Sequence, residues 1–333
     1  MPTERRLSAA AAGPVRSPRK ALLSAALLST ALASTALAAS LPNARPADID
    51  MPEDISLDLI GALELRGGPR GFGGLSAIEA SSDGIRFLAI SDQGFSLSGR
   101  LRRRADGGLR DIVDVALGPL MRNGAPSSWT YADAEGLAAY DPDLRGPVAV
   151  SFERSHRIGV FAAPDADEAR LGERSPTSEA SDGDGPWHVN VGLEALALLP
   201  DGRLLAIRDA EGYAAPAYLV TPDGAAARID FPKLGPYTPA GADMAPDGRL
   251  YVVARRFTTL GGFAAAVWSY AVDGDRIHDP KVLAEFPAST RIDNAEGLAA
   301  WQDALGRTRL LIVTDDNRNL LQRTLLLDFV VSR

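Results

Sequence analysis

The sequence predicts an all-β protein that folds as a β-propeller. Three observations favour this fold class: a segment that recurs about every 50 residues, Asp-Gly turns between short apolar runs, and no capped amphipathic stretch of helical length after residue 40. A recurrence of this length is typical of the four-stranded blades from which propellers are built.

The recurring unit is a Gly-Leu or Gly-Ala segment, followed by a turn and a strand rich in β-branched residues. It occurs as GGLSAIEASSDGIRFLAISDQG (73–94), DAEGLAAYDPDLRGPVAVSFER (133–154), GLEALALLPDGRLLAIRDAEG (192–212), AGADMAPDGRLYVVARRF (240–257) and NAEGLAAWQDALGRTRLLIVTDDN (294–317). The copies are aligned on Leu75, Leu137, Leu196, Ala242 and Leu298. The intervals between these positions, about 46 to 62 residues, each have room for one four-stranded blade.

The turn residues indicate strands joined by tight hairpins. Asp-Gly pairs separate apolar runs at 83–84, 201–202, 223–224, 247–248 and 273–274. Glycine adopts a positive φ without steric cost, so Asp-Gly favours the turns that join antiparallel strands. In blade four we expect strands over 240–245, 249–256, 265–272 and 281–286. The polar stretch 165–187 is expected to be a loop-like insert.

The two ends of the repeat region predict how the ring closes. From the start of the last copy to the end of the sequence there are enough residues for only three strands. The strand predicted at 56–65 precedes the first copy and has no blade of its own. Pairing 56–65 with 320–331 completes the last blade and removes two exposed sheet edges. We therefore predict five four-stranded blades within a propeller domain over 56–333. Six blades are the alternative, if a long interval contains a further blade.

The first 39 residues are predicted to be a signal peptide. Basic residues precede an apolar run at 21–39, and Ala36-Leu37-Ala38 has the small-residue pattern of a cleavage site. This predicts a mature chain from Ala39 or Ser40, a linker over 40–55, and a periplasmic or secreted protein. The alternative is a membrane anchor over 21–39; we expect no stable membrane span, because Ala, Ser and Thr partition weakly into lipid. Arg5-Arg6 leaves general secretory and twin-arginine export open.

Composition excludes several function classes. The net charge of −8 makes nucleic acid an unexpected partner, because an acidic surface repels phosphate backbones. The chain has no cysteine, which excludes disulfides, thiolate metal sites and a cysteine nucleophile. The sequence also lacks a G-x-S-x-G elbow, an H-E-x-x-H motif and a P-loop. We expect a monomer with no organic cofactor.

Patterned charge points to one mouth of the central channel. In an antiparallel pair, the start of the first strand and the end of the second lie at the same end of the sheet. If the first strand of each blade is innermost, these positions surround one channel mouth, here called the rim. Strand starts at the rim are Glu135, Glu194 and Glu296, with Gly73 and Ala240 in blades one and four. Strand ends at the rim are Asp92, Glu153, Arg154, Arg208, Asp209, Arg255, Arg256, Asp315, Asp316 and Asn317.

The rim residues are candidate ligands for a cation and an anion. Candidate oxygen ligands for a hard cation such as Ca²⁺ are Glu135, Glu194, Glu296, Asp92, Glu153, Asp315 and Asp316. Candidate contacts for a small anionic substrate are Arg154, Arg208, Arg255 and Arg256. Glutamates on one ring repel each other unless a cation or an arginine neutralises them. Two structural interpretations stay open: hydrogen bonds from the neighbouring blade's backbone to the glutamates, or mutual ion pairs around the channel.

The motifs also resemble a known family. They are GGLSAI with SDQG, DAEGLAAY with SFER, GLEALALLPDGRLL, ARRF at 254–257, and NAEGLAAW with TDDN at 314–317. In this order, over about residues 70–330, the chain resembles the phytase-like family, described as having esterase-like activity of phytase. The resemblance implies a β-propeller and a metal-assisted phosphoester hydrolase, and it assigns no catalytic residue. AIRDAEG in blade three and Ala240 in blade four depart from the family pattern.

Three functional hypotheses follow. The first is a Ca²⁺-assisted hydrolase of phosphate esters that works at the rim. The second is a non-catalytic propeller that binds a ligand or an envelope partner in the periplasm through the same residues. The third and weakest is a lactonase-like hydrolase, since propellers with a central Ca²⁺ also host that chemistry. Fold alone does not choose among them.

Overall fold

The computed structural model describes residues 42–68, 72–163, 165–170, 191–210, 212–259, 261–319 and 321–332. These residues form five sheets arranged as the blades of a propeller, together with a two-stranded hairpin, one short α-helix and one 3₁₀ turn. The predicted fold class and blade count are confirmed, and the six-bladed alternative is wrong. No helix in these ranges is long and apolar enough to cross a membrane. The predicted signal peptide lies outside the described residues.

Strands are numbered in chain order, and the first strand of each repeat is the innermost of its blade. The chain enters through β1 (Asn43–Pro46) and β2 (Leu57–Arg66). Blade one contains β3 (Leu75–Ala80), β4 (Arg86–Ser91), β5 (Phe95–Arg103) and β6 (Leu109–Pro119). The connection to blade two contains β7 (Met121–Arg122), β8 (Ala125–Pro126) and α1 (Trp129–Ala132). Blade two contains β9 (Ala134–Ala139), β10 (Val148–Phe152), β11 (Arg157–Phe161) and β12 (Glu168–Arg170).

The remaining blades follow the same order. Blade three contains β13 (Leu193–Leu198), β14 (Leu204–Arg208), β15 (Ala214–Val220) and β16 (Ala226–Pro232). Blade four contains β17 (Thr238–Met244), β18 (Arg249–Thr258), β19 (Gly262–Asp273) and β20 (Arg276–Phe286), close to the four predicted ranges. A 3₁₀ turn (Ala288–Thr290) leads to blade five, which contains β21 (Asn294–Gln302), β22 (Thr308–Asp315) and β23 (Thr324–Val331).

The ring closes as predicted, by pairing of the two ends of the domain. β2 pairs antiparallel with β23, from Leu57 opposite Val331 to Leu65 opposite Thr324. The innermost strands contact one another in the order β3, β9, β13, β17, β21 and back to β3. Blade five is therefore assembled from both ends of the propeller, which leaves neither β2 nor β23 as a free edge.

Two outer strands lie where the sequence predicted none. β1 pairs with β2 inside the expected linker 40–55, and β12 pairs with β11 inside the expected insert 165–187. β12 is held by an ion pair of Arg157 with Glu168, 2.5 Å between Nε and Oε1. An outermost strand buries little, so neither segment needs the apolar alternation that marks a strand in a sequence.

The core lies between neighbouring blades and is formed by residues of the first, second and third strands of the blades. Trp268, Trp301 and Phe329 are fully buried there. The close approach of inner strands explains the glycine of E-G-L-A in blade five and the equivalent glycine of A-G-A-D in blade four. A Cβ on Gly297 would lie 2.7 Å from Cα of Ala77 in blade one, and a Cβ on Gly241 would lie 2.5 Å from the carbonyl oxygen of Glu296. Glycine at these positions lets the five inner strands meet around a narrow channel.

Candidate functional site

Every innermost strand contains one β-bulge near its start. The register with the second strand skips one residue there, and the skipped residues are Ser76, Glu135, Glu194, Ala240 and Glu296. A bulge leaves its extra residue outside the ladder and redirects the side chain. The three predicted glutamates therefore occupy equivalent positions in blades two, three and five.

In blade one, the repeat is shifted by three residues from the alignment that the sequence predicted. Ser76, not Gly73, is the counterpart of the bulge glutamates, so Ile78 rather than Leu75 corresponds to Leu137. The alignment failed because GGL at 73–75 imitates the Gly-Leu of the other copies, whereas the bulge is a feature of pairing and not of local sequence.

A second ring of equivalent positions follows the second strand of each blade. In each blade, the residue just before the bulge pairs with a residue near the end of the second strand. The next residue along the chain belongs to this ring. The five residues are Asp92, Glu153, Asp209, Arg255 and Asp315. Four blades thus present an acid, and blade four presents Arg255. Blade four also has the small Ala240 at its bulge, which leaves room for a long guanidinium side chain.

Arg255 is an internal counter-ion for two glutamates. Its Nε lies 2.7 Å from Oε2 of Glu296 and its Nη2 lies 3.4 Å from Oε2 of Glu194. Both glutamates are almost fully buried. Burial raises the pKa of Glu296 to about 8 and that of Glu194 to about 7, and the charge of Arg255 acts in the opposite direction. The ion-pair interpretation therefore holds for this half of the rim.

The other half of the rim holds an acidic cluster, formed by Asp133, Glu135 and Glu153. One carboxylate oxygen from each residue lies within 4.8 Å of the other two. Burial first, and then the charges of Glu194 and Glu296, raise the pKa of Glu135 well above its usual value. Burial likewise raises the pKa of Glu153 to about 8. Converging carboxylates in a partly buried site need a cation or protons to be stable.

The acidic cluster fits a hard cation by its donor chemistry. Its three side chains offer only carboxylate oxygens, the ligands that Ca²⁺ prefers, and Ca²⁺ accepts the irregular geometry such a set provides. Nε of Arg154 donates a hydrogen bond to Oδ2 of Asp133 and orients that carboxylate. One arginine does not neutralise three acids, so the cluster still needs a cation or protons to balance its charge.

The remaining predicted acids lie on the side of blades one and five. Asp315 is buried, accepts a hydrogen bond from the backbone N–H of Asn317 at 2.8 Å, and has a pKa that burial raises to about 7. Burial also raises the pKa of Asp92, and the charge of Asp133 raises it further. Oδ1 of Asp316 accepts from the backbone N–H groups of Gly74 (3.4 Å) and Arg318 (3.0 Å).

At the opposite mouth of the channel, carboxylates of inner strands accept hydrogen bonds from the backbone of a neighbouring blade. Glu79 accepts from the backbone N–H of Ala139 at 3.1 Å, and Asp243 accepts from that of Ala300 at 2.7 Å. Both acids line a cavity of about 220 Å³. At the rim, by contrast, Glu194 accepts from Gly192 of its own blade. The blade-corner interpretation thus describes Glu79 and Asp243, which the sequence analysis did not single out.

The family model described as "Phytase-like: Esterase-like activity of phytase" matches residues 70–318. This chain belongs to the phytase-like family. The match covers the four complete repeats and most of the fifth, including every predicted rim residue. No curated protein matches the sequence of this phytase-like chain.

Solved structures also resemble the phytase-like chain, at low sequence identity. The catalytic domain of an α-L-arabinofuranosidase from Coprinopsis cinerea has a TM-score of 0.51 and 11% identity, over 84% of this chain and 98% of that domain. An α-L-arabinofuranosidase from Podospora anserina has a TM-score of 0.43 and 10% identity, over 84% and 97% of the two chains. A glucose dehydrogenase has a TM-score of 0.38 and 14% identity, over 88% and 100%. The likeness to the Coprinopsis cinerea domain concerns the fold alone.

The predicted arginines of this phytase-like propeller are in different environments. Arg154 and Arg255 contact rim acids, whereas Arg208 is buried. Arg256 is exposed, and its guanidinium lies 5.2 Å from the ring centre of Tyr237. Successive strand residues face opposite sides of a sheet, so Arg256 points away from the acids that Arg255 contacts.

Sequence analysis missed Asp133 as a member of the acidic cluster. A signal was present, because Asp133 and Asn294 both stand two residues before a bulge glutamate, in D-A-E-G and N-A-E-G. In blade five, Nδ2 of Asn294 donates to Oε1 of Glu296 at 2.5 Å. The polar residue before the bulge thus contacts the rim in at least these two blades.

Proposed function

We propose that this phytase-like propeller is an exported, Ca²⁺-assisted hydrolase of phosphate esters, with its reaction at the rim. The observation that carries the proposal is the acidic cluster, with oxygens of Asp133, Glu135 and Glu153 within 4.8 Å of one another. The family match supports a hydrolase, and the predicted signal peptide at 1–39 supports a periplasmic or secreted location. Both pieces of support are independent of the rim geometry.

The two halves of the rim would have different tasks. The acidic cluster would hold Ca²⁺, which when bound supplies positive charge that polarises a phosphoryl oxygen. Arg154 would keep Asp133 oriented through its hydrogen bond. Arg255 would pair with Glu194 and Glu296 and hold them in place, so that blades three and five need no second cation.

Asp315 would serve as the proton-exchanging group. Burial raises its pKa to about 7, the value at which a carboxyl group both holds and releases a proton near neutral pH. It lies in the second ring of rim positions, equivalent to Glu153 of the acidic cluster. Because it is not one of the three clustered acids, its protonation would not compete directly with the cation.

The test is a Ca²⁺ titration of the processed protein by calorimetry and by thermal unfolding. Wild type should bind Ca²⁺, and a hundredfold excess over Kd should stabilise the fold by about 2.7 kcal/mol. Glu135→Gln should lose this effect. The control, Glu79→Gln, changes a carboxylate of an inner strand at the opposite channel mouth and should keep it. A phosphate monoester should be hydrolysed by wild type with Ca²⁺ and not in EDTA.

A second candidate is a non-catalytic propeller that binds a ligand or partner at the rim. The observation that favours it is that Arg255 already neutralises part of the ring without any metal. Under this hypothesis Ca²⁺ leaves the melting temperature unchanged and no ester turns over. Those two results together would replace the hydrolase proposal with this one.

A further inference from the structure

The acidic cluster is carried by two separate segments of blade two. Asp133 follows α1 and precedes Glu135 on β9, whereas Glu153 follows the end of β10. The backbone N–H of Glu153 donates to the carbonyl oxygen of Asp133 at 2.8 Å, which joins the two segments beside the acids. Arg154, the next residue, has a φ of 49°. A non-glycine residue keeps this left-handed conformation only where its surroundings hold it, so the turn needs support from neighbouring residues.

Arg157, the first residue of β11, contacts both segments. Its Nη2 donates to the carbonyl oxygen of Tyr131 at 2.7 Å, and its Nη1 donates to that of Ser155 at 3.1 Å. Tyr131 lies two residues before Asp133, and Ser155 lies two residues after Glu153. Arg157 is buried, and charge-assisted hydrogen bonds are stronger where water is excluded. One guanidinium group therefore fixes the spacing of the two segments that carry the acids.

Glu168 on the outer strand β12 holds this guanidinium group in place. Nε of Arg157 donates to Oε1 of Glu168 at 2.5 Å, and Nη2 donates to Oε2 at 2.8 Å. Two such bonds fix the plane of a guanidinium group as well as its position. The guanidinium also lies 3.7 Å from the ring centre of Phe152. We call Arg157 and Glu168 the clamp. All three nitrogens of the guanidinium are engaged, and none of these partners is an acid of the cluster.

A second arginine contacts the same elements. Arg122 on β7 has its Nε 3.7 Å from Oε2 of Glu168 and its guanidinium 4.0 Å from the ring centre of Tyr131. The backbone N–H of Gly124 donates to Oδ2 of Asp167 at 2.8 Å, so the hairpin of β7 and β8 also contacts β12. The short polar strand β12 thus contributes an acid to the clamp, although it adds little to the core.

We propose that the clamp positions the acidic cluster for a cation, with Arg157 and Glu168 as positioning residues. Resting on the proposed function, this extends the cation site to the outermost strand of blade two. Partners that orient ligating carboxylates matter for binding, and their loss typically lowers metal affinity about tenfold to a hundredfold. Arg154 contacts Asp133 directly, whereas the clamp acts through the backbone. Without the clamp, Asp133 and Glu153 move relative to each other and hold a cation less tightly.

Amide hydrogen exchange of the processed protein in EDTA tests the clamp without any metal. In Glu168→Gln the backbone amide of Glu153 exchanges about tenfold faster than in wild type, because the two segments separate more often. Arg157→Lys, which keeps the charge but loses the fork of donors, gives a similar acceleration. The amide of Asp209 is the internal control, since it makes the equivalent bond in blade three at 3.1 Å and keeps its rate. An unchanged Glu153 rate in both variants overturns the proposal.

Ca²⁺ affinity is then measured by calorimetry at a temperature where every variant is folded. Glu168→Gln and Arg157→Lys each weaken Ca²⁺ binding about tenfold or more. The double variant weakens it no further than either single variant, because the two residues act as one unit. The matched control Asp279→Asn removes another bond between an arginine and an outer-strand acid, Nη1 of Arg249 to Oδ2 at 2.8 Å in blade four, and leaves the affinity unchanged. A loss of stability alone does not change the affinity of the folded protein.

The two measurements separate this proposal from the proposed function. Faster exchange of the Glu153 amide in a protein that does not bind Ca²⁺ supports the clamp and contradicts the cation site. Ca²⁺ binding in wild type that Glu168→Gln leaves unchanged overturns the clamp and keeps the cation site. Equal weakening by Asp279→Asn and Glu168→Gln also overturns the clamp, because the loss then does not depend on contact with the acid-bearing segments.

Discussion

Arg255 in blade four donates from Nε to Oε2 of Glu296 in blade five, at 2.7 Å. The same guanidinium reaches Glu194 in blade three, so one side chain joins three consecutive blades at the channel mouth. Blade four is the one blade with an arginine in the second ring and an alanine at the bulge. The two departures are complementary. Ala240 adds no further glutamate at the bulge of blade four, and Arg255 supplies a positive charge to Glu194 and Glu296.

Replacing Arg255 should destabilise the fold in a pH-dependent way. Arg255→Gln leaves Glu194 and Glu296 buried without a cation, at a cost of about 2 kcal/mol near pH 8. The loss should be smaller at pH 5, because both glutamates are then protonated. Urea unfolding in EDTA at the two pH values measures the difference. The control Arg256→Gln, which removes an exposed contact with Tyr237, should cost less than about 1 kcal/mol. An equal effect of both variants would show that Arg255 is no counter-ion.

The stability of the cation-free protein should fall as pH rises. Burial raises the pKa of Glu153 and Glu296 to about 8 and those of Glu194 and Asp315 to about 7. A raised pKa means that the folded state binds the proton more tightly than the unfolded state. The stabilising contribution is therefore complete below the ordinary carboxyl pKa and is lost as pH rises through 7 and 8.

Melting temperatures in EDTA between pH 6 and pH 9 measure this loss. Saturating Ca²⁺ should flatten the profile, because the cation replaces the protons of the acidic cluster. Ca²⁺ affinity should accordingly rise over the same range. A melting temperature in EDTA that does not change between pH 6 and pH 9 would contradict the prediction that these acids hold protons in the folded state.

The inner-strand glycine of blade five should not tolerate a methyl group. In Gly297→Ala the new Cβ would lie 2.7 Å from Cα of Ala77 and 2.8 Å from N of Ile78. Neither backbone atom moves without shifting blade one, so we expect a loss of about 2 kcal/mol or more. The control Gly118→Ala, on β6 with no atom within 4 Å of its Cβ, should be neutral or slightly stabilising. Chemical denaturation compares the two, and similar midpoints would refute the close approach of blades.

Asp328 should be needed for closure of the ring. It is fully buried on β23 and accepts from Nη2 of Arg309 at 2.6 Å and from Arg103 of blade one. Asp328→Ala leaves the half-buried Arg103 without its ion-pair partner and leaves the buried Arg309 with only its longer pair to Asp303, 3.6 Å, at a cost of about 3–5 kcal/mol. The exposed pair of Asp114 with Arg100 provides the control, since Asp114→Asn should change stability by less than about 1 kcal/mol. Thermal unfolding of both variants tests this, and an Asp328→Ala protein as stable as wild type would exclude the role.

Local sequence predicted the fold because each signal acts over a few residues. The Asp-Gly pairs confirm this: Gly84, Gly202 and Gly248 have φ of 64°, 86° and 83° in turns between strands. Repetition of these turns with the Gly-Leu segments predicted five blades, and the count of strands predicted the pairing of β2 with β23. The outer strands β1 and β12 gave no signal, because a strand at the edge of a blade needs little apolar surface.

The amino-acid sequence by itself determined the blades, their number, the closure of the ring and the residue types at the rim. Only the tertiary structure decided which of those residues meet. It pairs Arg255 with Glu194 and Glu296, and it brings Asp133 to Glu135 and Glu153. Apart from Asp133 and Glu135, these partners lie far apart in the chain, and β-bulges set the direction of the side chains of Glu135, Glu194 and Glu296. Their contacts depend on how the blades pack around the channel, which no local pattern of residues encodes.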